Sequence, residues 1–385
     1  MFMKDTELYN ELITTRNLSK NTAIGYKHVI KSYTEFHEKS LQELLTEAEK
    51  EEEEGIRWKN RKLKNRLVQY RMHIQQKHSK RTVGTYFSKI LTIYAHFEIE
   101  IHKLPLLNTK QNNEPKPVTY KDLPDKEIIK KALKMATPLM RAVILFMSSS
   151  GCARNETLHI TIQDFINATK DYHGSNNIYE VIDALKNRED IVPMFQLKRE
   201  KTDKHYFTFC TPEATTETIN YLKTIEYQLS VDDRVFKVNK DHLSHEFGRI
   251  NDILKLGKVG YHRRFRGHML RKFHASQLYN NGVTLNQVDE MQGRGKSSTQ
   301  QSYFMEDPEE LKQIYIKHMN CLTINMDVNN IDFKSPEYVK LENENKEKDA
   351  IIKEQEARNM LFDERLKNLE NTANWNLKDL KKKFG

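Results

Sequence analysis

At 385 residues the chain exceeds what one hydrophobic core comfortably serves, so two domains and a tail are expected. Thirteen glycines weigh against an all-β architecture, and no apolar run approaches the roughly 20 residues of a membrane span; Val143–Met147 reads as core. A formal charge of +9 suits a polyanionic partner, while three scattered cysteines, Cys152, Cys210 and Cys321, odd in number and without metal spacing, imply a reduced, metal-free protein of the cell interior.

The first unit is expected over residues 1–104 as a helical domain. Thr6–Leu12 and Ser19–Phe36 read as amphipathic helices, with Ser19 or Asn21 as an N-cap. A second Ser-Lys-x-Thr signature, Ser79 to Thr82, leads into an apolar-periodic run from Tyr86 to Tyr94. Lys80 and Arg81 at such a helix start serve either a phosphate or simple capping. Between the two signatures an acidic run, Glu47–Glu54, reads as a solvated helix face. The basic stretch after it, from Arg57 to Lys64, contains Trp58, Lys59 and Arg61 and is the best candidate for a polyanion-facing helix.

Residues 105–117 carry Pro105, Pro115 and Pro117 among polar neighbours and read as a linker. The second domain is expected over 118–321. An apolar helix, Leu139–Met147, closes on Ser148 to Gly151 and leads to Arg154 and Glu156. Phe195–Phe209 alternates as a β-hairpin around Lys201, Thr202 and Asp203. Thr211, Pro212 and Glu213 open a helix, and Asp241–Leu256 forms another. Tyr261–Arg266 interleaves aromatic and basic residues; Arg263, Arg264 and Arg266 are expected on phosphates, because no compact core could bury them unpaired. Asp307, Pro308 and Glu310 start a helix ending near His318. The tail, 337–385, has a heptad seam with half its core positions polar, so a single solvated helix and a coiled coil are equally open. The whole reads as mostly α with a small β-sheet or hairpin, an α+β chain.

The chemistry concentrates after residue 267. His268 and Arg271 are three apart, which places imidazole and guanidinium on one helix face. Gln292, Gly293, Arg294 and Gly295 stop the next helix, and Tyr303 follows Arg294 by nine residues. A general base, forked cations and a phenol are what phosphoryl transfer through a tyrosyl ester requires.

An Arg after a Ser-Gly turn, a Lys on a hairpin, His-x-x-Arg and a late Tyr, in that order, resemble the tyrosine recombinase (integrase) family, most closely its archaeal members, to about residue 320. The resemblance implies a helical core-binding domain that clamps duplex DNA, followed by a catalytic domain. It also implies a site-specific recombinase that cuts and rejoins DNA for a virus or mobile element. It assigns Tyr303 as nucleophile, Arg154 and Arg271 to the non-bridging oxygens, His268 to proton removal, Lys201 to the leaving oxygen and Arg294 to a further phosphate contact. Glu156 supports these groups. Trp58, Lys59, Arg61, Lys80, Arg81, Arg263, Arg264 and Arg266 become DNA contacts. No metal or other cofactor is implied; the partners are double-stranded DNA and further copies of the chain, a tetramer on two sites, in the cytoplasm. Two departures stand out: Ala153 occupies the family's usual arginine position, and Gly-Arg replaces Gly-His at Gly293 and Arg294. A type IB topoisomerase and a non-catalytic DNA-binding protein on a decayed scaffold are the alternatives.

Overall fold

The computed structural model describes residues 3–105, 117–199, 203–294 and 307–325, with 348–349, 351–356, 358–360 and 365 of the tail. Mostly helical with small antiparallel strand pairs, the chain divides into two compact units, Met1–Lys116 and Pro117–Gly385.

Among the described residues of the first unit five α-helices, α1 (Met3–Thr15), α2 (Lys20–His37), α3 (Leu41–Glu53), α4 (Lys62–Lys77) and α5 (Lys80–His96), close around Val29, Ile30, Leu44, Leu67, Ile74 and Ile93. Tyr33, Tyr70 and Tyr94 are fully buried at its centre, where the Tyr33 and Tyr94 hydroxyls lie 3.0 Å apart. Ser40 and Glu43 form a capping box at the start of α3, and Ser79 accepts from the Thr82 N–H at the start of α5. Two more helix starts are capped across the bundle. Asp5 of α1 accepts from Leu41 N–H at 2.9 Å, and Glu51 of α3 accepts from Lys62 N–H at 2.7 Å. Each such cap contributes about 1 kcal/mol, because it satisfies a backbone donor left over at a helix start.

Two expectations fail here. The acidic run is not a solvated face: Glu47 gathers Lys39, Lys62 and Arg66, Glu51 caps α4, and Glu52 accepts from Arg61 and from Glu100 N–H. Nor is Arg57–Lys64 one helix. Trp58–Asn60 is a short 3₁₀ turn, and α4 begins only at Lys62.

The second unit is built on α7 (Pro138–Ser150), which follows α6 (Lys126–Lys134). Every residue from Ala142 to Ser150 is buried, so this helix needs cover on all sides. Its closing serines satisfy themselves on carbonyls three and four residues back, such as Ser150 Oγ on Phe146 O at 2.7 Å. After it come α8 (Arg154–His159), α9 (Ile162–Ala168) and α10 (Ile178–Leu185). The hairpin β1 (Met194–Arg199) and β2 (Lys204–Phe209) follows, registered from Met194↔Phe209 to Arg199↔Lys204. α11 (Pro212–Lys223) and α12 (Lys240–Ile253) precede a two-residue ladder, β3 (Lys258–Val259) with β4 (His262–Arg263). α13 (Gly267–Asn280), α14 (Leu285–Met291) and α15 (Pro308–His318) follow. Flanked by α11 and α13, α7 carries Phe146 edge-on to Phe195 and Phe236, which joins the helical layer to the hairpin. In the tail, the described residues 348–349, 351–356, 358–360 and 365 are helical, with Ile351, Ile352 and Met360 exposed; its other residues lie outside the described ones.

Candidate active site

The turn between α7 and α8 and the start of α13 meet at one place. Gly151 ends α7 at φ +67°, and a Cβ there would stand 2.5 Å from His274 Nδ1 and 2.7 Å from Gln292 Nε2. Only glycine permits both that dihedral and that approach. The turn thus rests directly on α13 and on the end of α14.

Arg271 locks the junction. Its Nη1 donates to Gly151 O and its Nη2 to Gln292 O, both at 2.6 Å, and Glu156 lies 3.4 Å away. Burial lowers the Arg271 pKa, and the Glu156 carboxylate opposes that shift. A guanidinium has five N–H donors. The three recorded bonds leave Nε–H and one Nη2–H without an acceptor among the described residues. Gln292 Nε2 closes the back of the junction, donating to Arg271 O at 3.0 Å and to His274 Nδ1 at 2.9 Å. His274 is fully buried; burial, with Arg271 and Arg294 adding, pulls its pKa down to about 3. The imidazole is therefore neutral.

Glu156 is the second fastener. Its nearly buried carboxylate accepts from Ala153 N–H at 2.6 Å and from Tyr206 OH at 3.1 Å, and lies 3.6 Å from Arg199 Nε. Arg199 also donates to Gly293 O at 2.8 Å. Sequence reasoning missed Arg199 and Tyr206. Strand alternation carried a signal for the first: Arg199 falls on the side of β1 that buries Phe195 and Leu197. Gly293, at φ +59°, admits the Tyr206 ring, which a Cβ would meet at 2.5 Å. Tyr206 is buried, and burial drives its phenol well above its ordinary value.

In front of this junction lies a cleft of about 680 Å³. Ala153, Arg154, His268 and Arg271 line it, with Tyr261 and Arg266. Arg154 opens α8 and donates to Ser244 Oγ at 2.7 Å. His268, in the first turn of α13, presents an exposed surface. Partial desolvation lowers its pKa, and Lys272, Arg266, Arg271 and Arg294 lower it further. Arg294 itself pairs with Asp289 at 2.9 Å. Lys204 of the hairpin pairs with Glu290 of α14 at 2.8 Å. Lys201 and Tyr303 lie outside the described residues.

The expected phosphate contacts divide. Arg263 forms a forked pair with Asp252, at 3.0 and 2.7 Å. Arg264 donates to the carbonyls of Lys121, Asp122 and Leu123. In the first unit Arg61 is buried on Glu52 and on Ile56 O. Each of these three arginines finds an acceptor in the fold that the sequence left out of sight, although Arg263 stays exposed and lines the cleft. Lys59, Lys80 and Arg81 are exposed, while Trp58 is half-buried against the ring of His102. Among the described residues no group of three or more His, Cys, Asp or Glu could hold a metal, and no helix is long and apolar enough to cross a membrane.

No family model matches this chain, and no curated protein does. Among solved structures it is similar to the Tn1549 transposon integrase in complex with transposon right end DNA, at 12% identity and TM-score 0.50 over 81% of this chain and 98% of that one. It is also similar to the XerH site-specific recombinase bound to palindromic difH substrate, at 18% identity and TM-score 0.49 over 80% and 83% of the two chains. A lambda integrase dimer bound to a COC′ core site aligns at 12% identity and TM-score 0.48 over 79% and 97%. The chain has the fold of the tyrosine recombinases.

Proposed function

We propose that this chain is a site-specific DNA strand transferase of the tyrosine recombinase type, acting in integration or excision of a virus or mobile element. The observation that carries the reading is the cleft: Arg154 from α8 and His268 and Arg271 from α13 line one cavity, on a fold of that class.

The steps follow from the chemistry of these groups. The Tyr303 phenol attacks a backbone phosphorus, forming a P–O bond to the tyrosine and breaking the bond to the 5′-oxygen. His268, with its pKa held below the ordinary value, is neutral at physiological pH and accepts the phenolic proton. Arg154 and the free donors of Arg271 stabilise charge on the non-bridging oxygens, and Arg294 adds a further donor. Lys201 protonates the departing oxygen. Reversal by another strand's 5′-hydroxyl rejoins the DNA without net loss of a phosphodiester, so no nucleotide cofactor enters. The first unit would clamp the duplex through Lys59, Lys80, Arg81 and the Trp58 edge. Copies on two sites would assemble as a tetramer.

Incubation with a nicked suicide duplex tests this. A covalent protein–DNA adduct at Tyr303, abolished in Tyr303→Phe with binding retained, is the expected result. Trapping at Tyr261, which lines the same cleft, or at Tyr279 removes the assignment. Binding with no adduct favours the non-catalytic reading, for which Ala153 in the usual arginine position speaks.

A further inference from the structure

Four of the five arginines at or beside the cleft have strong acceptors or a hydroxyl partner. Arg154 has Ser244, Arg263 has Asp252, Arg264 has three carbonyls, and Arg271 has two carbonyls and Glu156. Arg266 differs. Its recorded side-chain contact is a weak 3.9 Å approach of Nη2 to the Met269 sulfur. Its Nη1 is buried with no hydrogen-bond partner, although the residue lines the cleft.

The backbone around it is held on both sides. Phe265 is fully buried, with its N–H on Asn251 Oδ1 at 2.9 Å, and Arg266 O accepts from Met269 N–H at 2.8 Å as the N-cap of α13. A guanidinium that is positioned, partly dehydrated and lacking an acceptor is ready for an anion, because the desolvation is already in place and only the partner is missing. The neighbourhood calls for one. Arg271, which lines the same cleft, is partly neutralised by Glu156.

We propose that Arg266 binds the reacting phosphodiester itself, donating to a non-bridging oxygen beside Arg154 and Arg271. This rests on the strand-transfer reading above. It moves Arg266 from a flanking contact to the cleaved phosphate.

Binding and cleavage on neutralised phosphates test it separately. A duplex selected from a random library by the full chain is synthesised with one methylphosphonate at each position in turn. The full-length wild type, Arg266→Ala and Arg266→Lys are then compared. In the wild type, neutralising a gripped phosphate weakens binding; Arg266→Ala should show a smaller loss than wild type at one position, the one where the Tyr303 adduct maps. Single-turnover cleavage of ordinary duplex should fall about 100-fold in Arg266→Ala, and the deficit should shrink to less than about tenfold on the duplex neutral at that position. Arg266→Lys should lie between, since it keeps the charge and loses the fork. Coupling at a phosphate away from the cleaved one overturns the proposal in favour of a flanking contact. Coupling at no position, with both variants equally impaired, overturns it in favour of a structural role. A wild type that forms no adduct while Arg266 still couples to one phosphate overturns the strand-transfer reading and leaves Arg266 a phosphate ligand.

Discussion

Lowering the pH from 7 to 5 should loosen the candidate active site from behind, through His274. This imidazole is fully buried, its pKa is pulled to about 3, and its Nδ1 accepts from the Gln292 amide that also holds Arg271 O. In the unfolded chain the same group titrates near 6.5. A folded-state pKa below the unfolded one means the unfolded state takes the proton first. The neutral site is fully stable above pH 6.5, and stability is lost as pH falls from there toward 3. Between pH 7 and pH 5 the loss from this one group is about 1.4 pH units' worth of linkage, or about 2 kcal/mol. Hydrogen exchange in peptides covering α7 and α13 reads it directly, once intrinsic rates are corrected for pH. His274→Gln can still accept from Gln292 but cannot titrate. It should be less stable at pH 7 through imperfect packing, yet show a pH dependence shallower than wild type by about 2 kcal/mol over this range. Parallel curves for the two proteins would show that His274 is protonated in the fold or that the junction opens independently of it.

Other outcomes follow from the same contacts. Glu156→Ala leaves Arg271 and Arg199 without their shared carboxylate and should destabilise the second unit by about 3 kcal/mol, measured by the same exchange experiment. Arg61→Ala should destabilise the first unit by about 1–3 kcal/mol and leave the salt dependence of DNA binding unchanged, whereas Lys59→Ala should lower that salt slope by about 1 at unchanged stability. Lys201→Ala should cleave ordinary DNA slowly and recover on a strand with a bridging 5′-sulfur, because a thiolate, with a parent pKa near about 8.5, departs without an acid. Recovery by Lys204→Ala instead would move the acid to Lys204, although that residue is paired with Glu290.

Local physics made much of the fold legible. Pro at the first helical position with Thr or Asp before it starts α7, α11 and α15, and Ser79 starts α5, because a cap satisfies its donors within three residues. The alternation of Phe195 and Leu197 marks the hairpin, and the spacing of His268 and Arg271 puts both on the start of α13 at the cleft. The fates of the charges were not legible. Arg264 finds its carbonyls more than 140 residues away, Arg61 finds Glu52 on the preceding helix, and Arg199 reaches Gly293 across 94 residues. A guanidinium looks the same in sequence whether its acceptor is a nucleic acid phosphate or a backbone carbonyl. Composition and spacing determined that this chain would be helical, basic and equipped with an imidazole, arginines and a late tyrosine. Tertiary structure alone decided which arginines its own carboxylates and carbonyls engage and which, like Arg266, keep a buried nitrogen without an acceptor, because that depends on groups brought within about 3 Å only by the packing of distant segments.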